Sequence, residues 1–401
     1  MLSHKLSLDA KCIVYNKDMQ IINTIESPHE IETTDDTIDF LVREANGVIL
    51  QKETIPFRSF TRNFTSILDS GFDNASSTPG TQSNNTKASI AGGGMFGVSA
   101  SAAQDTFGIL VGTSSVEMNY MDYKLLGKCV NGNAINDLNK LYYLSHESAV
   151  TITTGSLLGT SIKRSFINFS TSSVTILESG LMNRNASGVY YLMTRDVVQN
   201  DGSAINVVVT PDSTLDVLYN FYFDTTQGWL YNWVLIFGAS LSGLTVPVIT
   251  LSGLPVNTNY ANTGNDNDLQ FNITYAADTY PTGICVGSSN IPVSSSDYRL
   301  GQIIEHGSDV NQLTYGASIY NLSQMNPVSQ SAISTLTRRF TNDSFGTVVI
   351  REVGVLMSNS KTSDINAAAL VIRKVVNQIN LQAEHTLDVV FTFNVSSSGI
   401  V

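Results

Sequence analysis

The second half of this chain repeats the first, and that duplication limits what it can fold into more than any other feature. Residues 106–115 read T-F-G-I-L-V-G-T-S-S and 121–128 read M-D-Y-K-L-L-G-K. Residues 283–289 read G-I-C-V-G-S-S and 296–303 read S-D-Y-R-L-G-Q-I. Gly108, Gly112, Asp122, Tyr123 and Leu125 meet Gly283, Gly287, Asp297, Tyr298 and Leu300 at one constant offset of 175 residues. Further along, with small shifts, Asn139–Tyr143 meets Asn311–Tyr315. Arg164-Ser165-Phe166-Ile167-Asn168 meets Arg338-Arg339-Phe340-Thr341-Asn342. Residues 174–181 meet 348–355, Arg195 meets Arg373, and 214–217 meet 386–389. A repeat of this length predicts two related modules in tandem.

The matched runs alternate or are β-branched and aromatic, with Ser, Asn and Gly between them. That texture predicts a mainly β chain of two antiparallel β-sandwich modules. Residues 1–58 read as an N-terminal β-hairpin region, in which Ala45-Asn46-Gly47 turns the chain between runs at 37–41 and 48–52. Residues 59–224 form the first unit and 225–401 the second. Each opens on a short aromatic helix: residues 59–68 place Phe60, Phe64, Ile67 and Leu68 on one face, and residues 229–237 answer with Trp229 and Trp233. Gly71–Ala103 and its counterpart Ser252–Pro281 are rich in Ser, Asn, Thr and Gly and read as flexible linkers or docking arms. The Phe60/Phe64 face, Trp229 and Trp233 are the expected packing residues, against their own module or against a neighbour.

The 401 residues carry a net charge of −12 with only 14% charged side chains. No basic patch is available to neutralise phosphates, which argues against a nucleic-acid partner. A polar, weakly charged surface suits a protein packed among copies of itself. Cys12, Cys129 and Cys285 lack any C-x-x-C spacing and predict neither disulfide nor zinc; Cys285 stands where the first copy has Leu110 and reads as an apolar core residue. The N-terminus lacks the apolar run of a secretory signal. Residues 229–250 are too broken by Asn, Gly, Ser and Pro for a membrane span. The chain is therefore expected to be made in the cytoplasm.

The G-x-x-x-G openings lack the Lys-Ser/Thr and the helix of a phosphate loop and read as close strand packing. Glu178 and Glu352, beside Gly180 and Gly354, are the shared acids, and Arg164 and Arg338 the shared bases. With no repeated His, and with no second acid at a fixed spacing from them that reads as catalytic, they predict an internal Arg–Glu pair tying strands together. Asp122-Tyr123 and Asp297-Tyr298 read as turns. His4, His29, His146, His306 and His385 share no spacing. Residues 265–268 lack the Gly and Glu of a calcium loop. The N-x-S/T triplets at Asn63, Asn168 and Asn342 read as composition. No catalytic, cofactor-binding or metal-binding residue is assigned, and no cofactor is expected.

The order F-G-I-x-V-G-T, D-Y-x-L, N-x-L-x-Y, R-x-F-x-N, E-x-G-L and Y-x-L-x-R-D, after a hairpin and S-F-x-x-N-F, resembles a module of tailed-bacteriophage virion proteins. The likeness covers about two-thirds of the residues between Thr37 and Val395. It departs at the second copy, which lacks the Tyr190-Tyr191 pair and has Lys374 after Arg373. The resemblance implies a non-enzymatic structural component in the tail, collar, fibre or portal-proximal region of the virion. Its partners would be copies of itself and other virion proteins. The alternative is a receptor- or glycan-binding fibre or capsid-decorating protein, with Tyr142, Tyr143, Tyr190 and Tyr191 as candidate contacts for a host-surface glycan.

Overall fold

The computed structural model describes residues 5–27, 37–56, 60–73, 78–90, 96–154, 156–185, 188–200, 202–258, 273, 282–326, 331–358 and 368–396. The protein is mainly β, with two α-helices among the described residues. Two hairpins come first, β1 (Lys5–Tyr15) with β2 (Ile21–Ser27) and β3 (Thr37–Arg43) with β4 (Ile49–Pro56). The first unit follows as α1 (Arg62–Asp73), β5 (Thr78–Thr81), β6 (Lys87–Ile90), β7 (Gly108–Gly112), β8 (Tyr142–Thr154), β9 (Leu157–Ile167), β10 (Val174–Ile176), β11 (Glu178–Arg184), β12 (Tyr190–Val197), β13 (Gln199–Asn200), β14 (Ser203–Ala204), β15 (Val207–Val209) and β16 (Thr214–Asp224). The second comprises α2 (Tyr231–Ser242), β17 (Val246–Ile249), β18 (Pro255–Thr258), β19 (Gly283–Gly287), β20 (Thr314–Asn326), β21 (Ser331–Thr341), β22 (Val348–Ser358), β23 (Ala368–Leu381) and β24 (Thr386–Ser396).

The duplication is written into the sheets. One half holds a five-stranded sheet ordered β4-β3-β16-β9-β8 and a three-stranded sheet ordered β12-β11-β7. The other half holds β2-β1-β24-β21-β20 and β23-β22-β19. All pairings within them are antiparallel. The hairpin region predicted over 1–58 is therefore shared out: β3 pairs with β16 of the first half, whereas β1 pairs with β24 along its whole length, from Lys5 opposite Ser396 to Tyr15 opposite Thr386. The N-terminal hairpin completes the C-terminal half.

Both helices form where aromatic periodicity predicts them, but each begins later and runs further. Phe60 bridges to Thr194 and Trp229 to Ile372, so these residues serve as strand before the helix starts. α2 continues through Gly238, Ser240 and Ser242 because it is buried on almost every side, where small residues admit close neighbours. It ends at Gly243 in the left-handed conformation (φ 67°), whose N–H caps Ala239 O. The predicted linker at 71–103 is more ordered than expected. Asn63 of α1 holds the β5–β6 hairpin by exchanging two hydrogen bonds of 2.8 Å with the Thr81 backbone. Phe96, Val98 and Ala100 are buried where the irregular run at 96–105 bonds to Arg184, Tyr143 and His146 of the first half. Asn232 of α2 holds Ile249 in the same way. Most of 252–281, including 265–268, lies outside the described residues.

The halves exchange their helices. α1 enters from β12 of its own half and packs on β20 of the other. α2 enters from β23 and packs on β8 and β9 of the first half. Such reciprocity is the signature of a closed, isologous pair rather than an open-ended stack. Aromatic rings run through the junction: Phe60–Phe64–Phe96–Phe237–Trp233–Phe72–Phe393, with centroids 3.8 to 6.0 Å apart along the chain of contacts. Trp229 and Trp233, 4.9 Å apart, are each 1% exposed. The helix faces left open between own module and neighbour thus pack inside the chain, at the seam of its two halves.

Candidate functional site

Two buried charge clusters, one per half, are the most chemically distinctive places in the protein. In the first, Glu178 at the start of β11 and Arg195 on β12 are both fully buried. Arg195 Nε donates to Glu178 Oε2 at 2.7 Å, and Nη1 to Asp122 Oδ2 at 2.9 Å. Its remaining donors reach Glu117 O and Val116 O. The carboxylate also accepts the Gly127 and Leu126 N–H groups. In the second cluster Arg373 Nε donates to Glu352 at 2.8 Å, Nη1 to Asp297 at 2.6 Å, and Nη2 to Ile291 O at 3.0 Å. Glu352 accepts from Ser289, Gly301 and Gln302 N–H. Burial works against the charge of Arg373, but the Asp297 and Glu352 carboxylates outweigh it and raise its pKa.

These clusters explain the repeated glycines. A Cβ on Gly112 or Gly287 would run into the Glu178 or Glu352 carboxylate, and Gly108 (φ 87°) and Gly283 (φ 74°) hold left-handed backbone that favours glycine. The G-x-x-x-G spacing is a strand cut to fit a buried acid. Asp122 and Asp297 are turn residues as expected, accepting Asn119 and Ser294 N–H, but their second role as arginine partners was not anticipated.

The expected Arg–Glu pair exists with a different arginine. Arg164 and Arg338 do not reach the glutamates. Arg164 lies on β9, fully buried, and donates to the carbonyls of Leu144, Phe107, Ile109, Ser101 and Gln104. Its guanidinium stacks on the Tyr143 ring at 4.8 Å, and desolvation lowers its pKa to about 10. Arg338 repeats this with Gly316 O, Thr282 O, Ile284 O and the Tyr315 ring. Both arginines thus meet backbone carbonyls instead of carboxylates, and these accept the guanidinium N–H groups. Arg195 and Arg373, matched across the repeat, sit one strand away from the shared glutamates, and that spacing is the signal for the pair.

The rest of R-x-F-x-N follows the same face. Phe166 and Phe340 meet Tyr143 and Tyr315 edge-on at 4.8 and 4.7 Å. Asn168 donates to Ser172 O and Val209 O while its Oδ1 accepts from Ser170; Asn342 does the same with Gly346 O, Leu381 O and Ser344. Asn63, Asn168 and Asn342 are staples of the fold.

Other candidates resolve individually. Burial pushes the Cys12, Cys129 and Cys285 thiols up to about 12, and all three are free. Desolvation lowers His146 to about 3; its ring accepts Ile109 N–H at 2.9 Å. Ser318 stands at the equivalent place, opposite Arg338 as His146 is opposite Arg164. Tyr143 and Tyr191 are fully buried, and Tyr190 stacks on Phe107. Among the described residues no group of His, Cys, Asp and Glu could hold a metal ion, and no helix is long and apolar enough to cross a membrane. His4 and His29 lie outside them. Comparison of the chain with family models, curated proteins and solved structures finds no match.

Proposed function

We propose that this chain is a non-enzymatic structural component of a tailed-phage virion, in the tail, collar or portal-proximal region, built from two tandem β-sandwich modules. In each module the five-stranded and three-stranded sheets are the two layers. Cross-layer bonds support this: Tyr219 OH on β16 meets Ser179 Oγ on β11 at 2.9 Å, and Arg164 and Arg338 reach from β9 and β21 to the backbone of β7 and β19.

The observation that carries the reading is what the duplicated charges do. Every ionisable side chain in the two clusters is committed to fixing backbone, with the glutamates and arginines shielded from solvent. Catalytic acids and bases need a free face and a second tuned group. The residues bearing the resemblance to virion modules are these same anchors, so the motif describes a rigid scaffold. Proteomics of density-purified particles from a lysate carrying this gene should find the chain in fixed stoichiometry with other particle proteins. Its loss from particles after a high-salt gradient, while it persists in the soluble lysate, would overturn the assignment.

A further inference from the structure

The two N-terminal hairpins are themselves a repeat, at an offset of 28 residues, visible once their turns are compared. Asn16 N–H meets Gln20 O and Met19 N–H meets Asn16 O; Glu44 and Gly47 make the same pair of bonds with Val48 and Glu44. Gly47 has φ 89°, and Met19 holds the same left-handed conformation at φ 59°. That region costs a side-chain-bearing residue about 1–2 kcal/mol. Strain of this kind persists where the position serves something else. Here it places an exposed methionine beside exposed Ile21 (62%) and Ile22 (52%).

Register puts more apolar side chains at the same sheet end. Tyr15, Thr386, Thr341 and Thr314 stand in one row across β1, β24, β21 and β20. Beyond that row lie the Met19 tip, Phe345 (103% exposed) and Val310 (70% exposed). The first half repeats the pattern: Ile49 pairs with Arg43 in its row of Arg43, Thr214, Ile167 and Tyr142, Phe169 and Leu138 lie beyond that row, and these three are exposed together with Leu50. Ile21/Ile49, Ile22/Leu50 and Val310/Leu138 are position-for-position equivalents, apolar in both copies.

We infer that the end of the C-terminal half, formed by Met19, Ile21, Ile22, Val310 and Phe345, is the contact through which one copy of this chain binds another. This deepens the reading of the chain as an assembling component and rests on it. Area fits a protein partner: at ordinary full residue areas the five residues together expose roughly 600–700 Å², approaching the roughly 800 Å² per partner of a standard interface. A second copy supplies a matching apolar end, and each chain carries two such ends. The rim is mainly acidic, with Asp18, Asp309, Asp343 and Glu384 exposed at this end against Lys17 and Arg339, and Glu44 and Asp212 at the other. Contact between copies therefore opposes like charges, and salt strengthens it by screening them.

The test is sedimentation velocity with light scattering on the full chain between about 1 and 100 µM, at low and high salt. The expected result is a mass rising above 43.4 kDa with concentration, more steeply at high salt. The double substitution Ile22→Lys/Phe345→Lys should weaken association at least about 100-fold and leave the thermal melt of the monomer unchanged. A parent chain that stays monomeric throughout overturns the inference. So does equal association of the double variant, or loss of association through Leu50→Lys/Phe169→Lys alone. Co-sedimentation of the monomer with phosphatidylcholine vesicles would assign the end to lipid and overturn it too. Self-association mapped this way is independent of whether the chain is found in particles, so failure of either reading leaves the other legible.

Discussion

Glu178→Gln is the sharpest test of the buried clusters, because it changes charge with almost no change of shape. The carboxylate accepts Arg195 Nε–H at 2.7 Å and the Gly127 N–H at 2.5 Å, and both ionic side chains have no solvent exposure. A glutamine must turn its NH2 toward one of these donors, so a buried donor faces a donor. Arg195 is left with Asp122, whose side chain is 16% exposed. Breaking one side of a buried pair costs about 3–5 kcal/mol, whereas Asp122→Asn at the edge should cost about 1–2 kcal/mol. Removing both charges in Glu178→Gln/Arg195→Met should cost about 2 kcal/mol less than the sum of the single changes, since no fully buried charge is then stranded and Asp122, which loses its partner, keeps access to water. Glu352→Gln is the internal control, with Arg373 and three backbone donors around it. Urea unfolding measures the free energies, and hydrogen exchange reads protection at the Leu126 and Gly127 amides. A Glu178→Gln cost below about 1 kcal/mol, or strict additivity in the double variant, would refute the argument that the cluster anchors the 113–127 loop.

Three other expectations follow from the geometry. Met19→Gly should stabilise the protein by about 1 kcal/mol by relieving the left-handed strain, seen as a higher urea midpoint; no gain would mean Met19 carries no strain. His146 is neutral when folded, with a pKa of about 3 against an ordinary 6.5, so the unfolded state binds the extra proton between these values. Stability is complete above pH 6.5 and falls as pH drops toward 3, by about 2 kcal/mol between pH 7 and pH 5, and His146→Ser should remove that slope. Because Trp229 and Trp233 both sit at the seam and are the protein's two tryptophans, fluorescence and far-UV dichroism should report one coincident transition. Trp233→Ala should lower it by about 3–5 kcal/mol, and separate transitions would show halves that unfold independently.

The sequence carried the strands, the two helices and the duplication because each depends on local periodicity and on residues copied in register. Glu178, Arg195 and Asp122 were also all visible as repeated residues. Their grouping was not, because a salt bridge between β11 and β12 depends on which face each strand turns inward, and Arg164 was the nearer base in sequence. Composition misled over 71–103: Ser, Asn and Gly in a row read as freedom, yet Asn63 bonds to the backbone of Thr81 and Arg164 to that of Ser101. The helix exchange was beyond reach for a different reason. Phe72 meets Tyr320 and Phe393 across more than 240 residues of chain, and a buried aromatic helix satisfies its pattern against any apolar sheet. Reciprocity has one further consequence. Because α1 packs on the second half and α2 on the first, the halves form a closed pair. Such a pair does not extend as a ring of evenly repeated modules, so doubling the modules would not by itself double the rotational symmetry of an assembly. The contact between copies inferred above accordingly lies on a surface the pair leaves open, the apolar end of the C-terminal half.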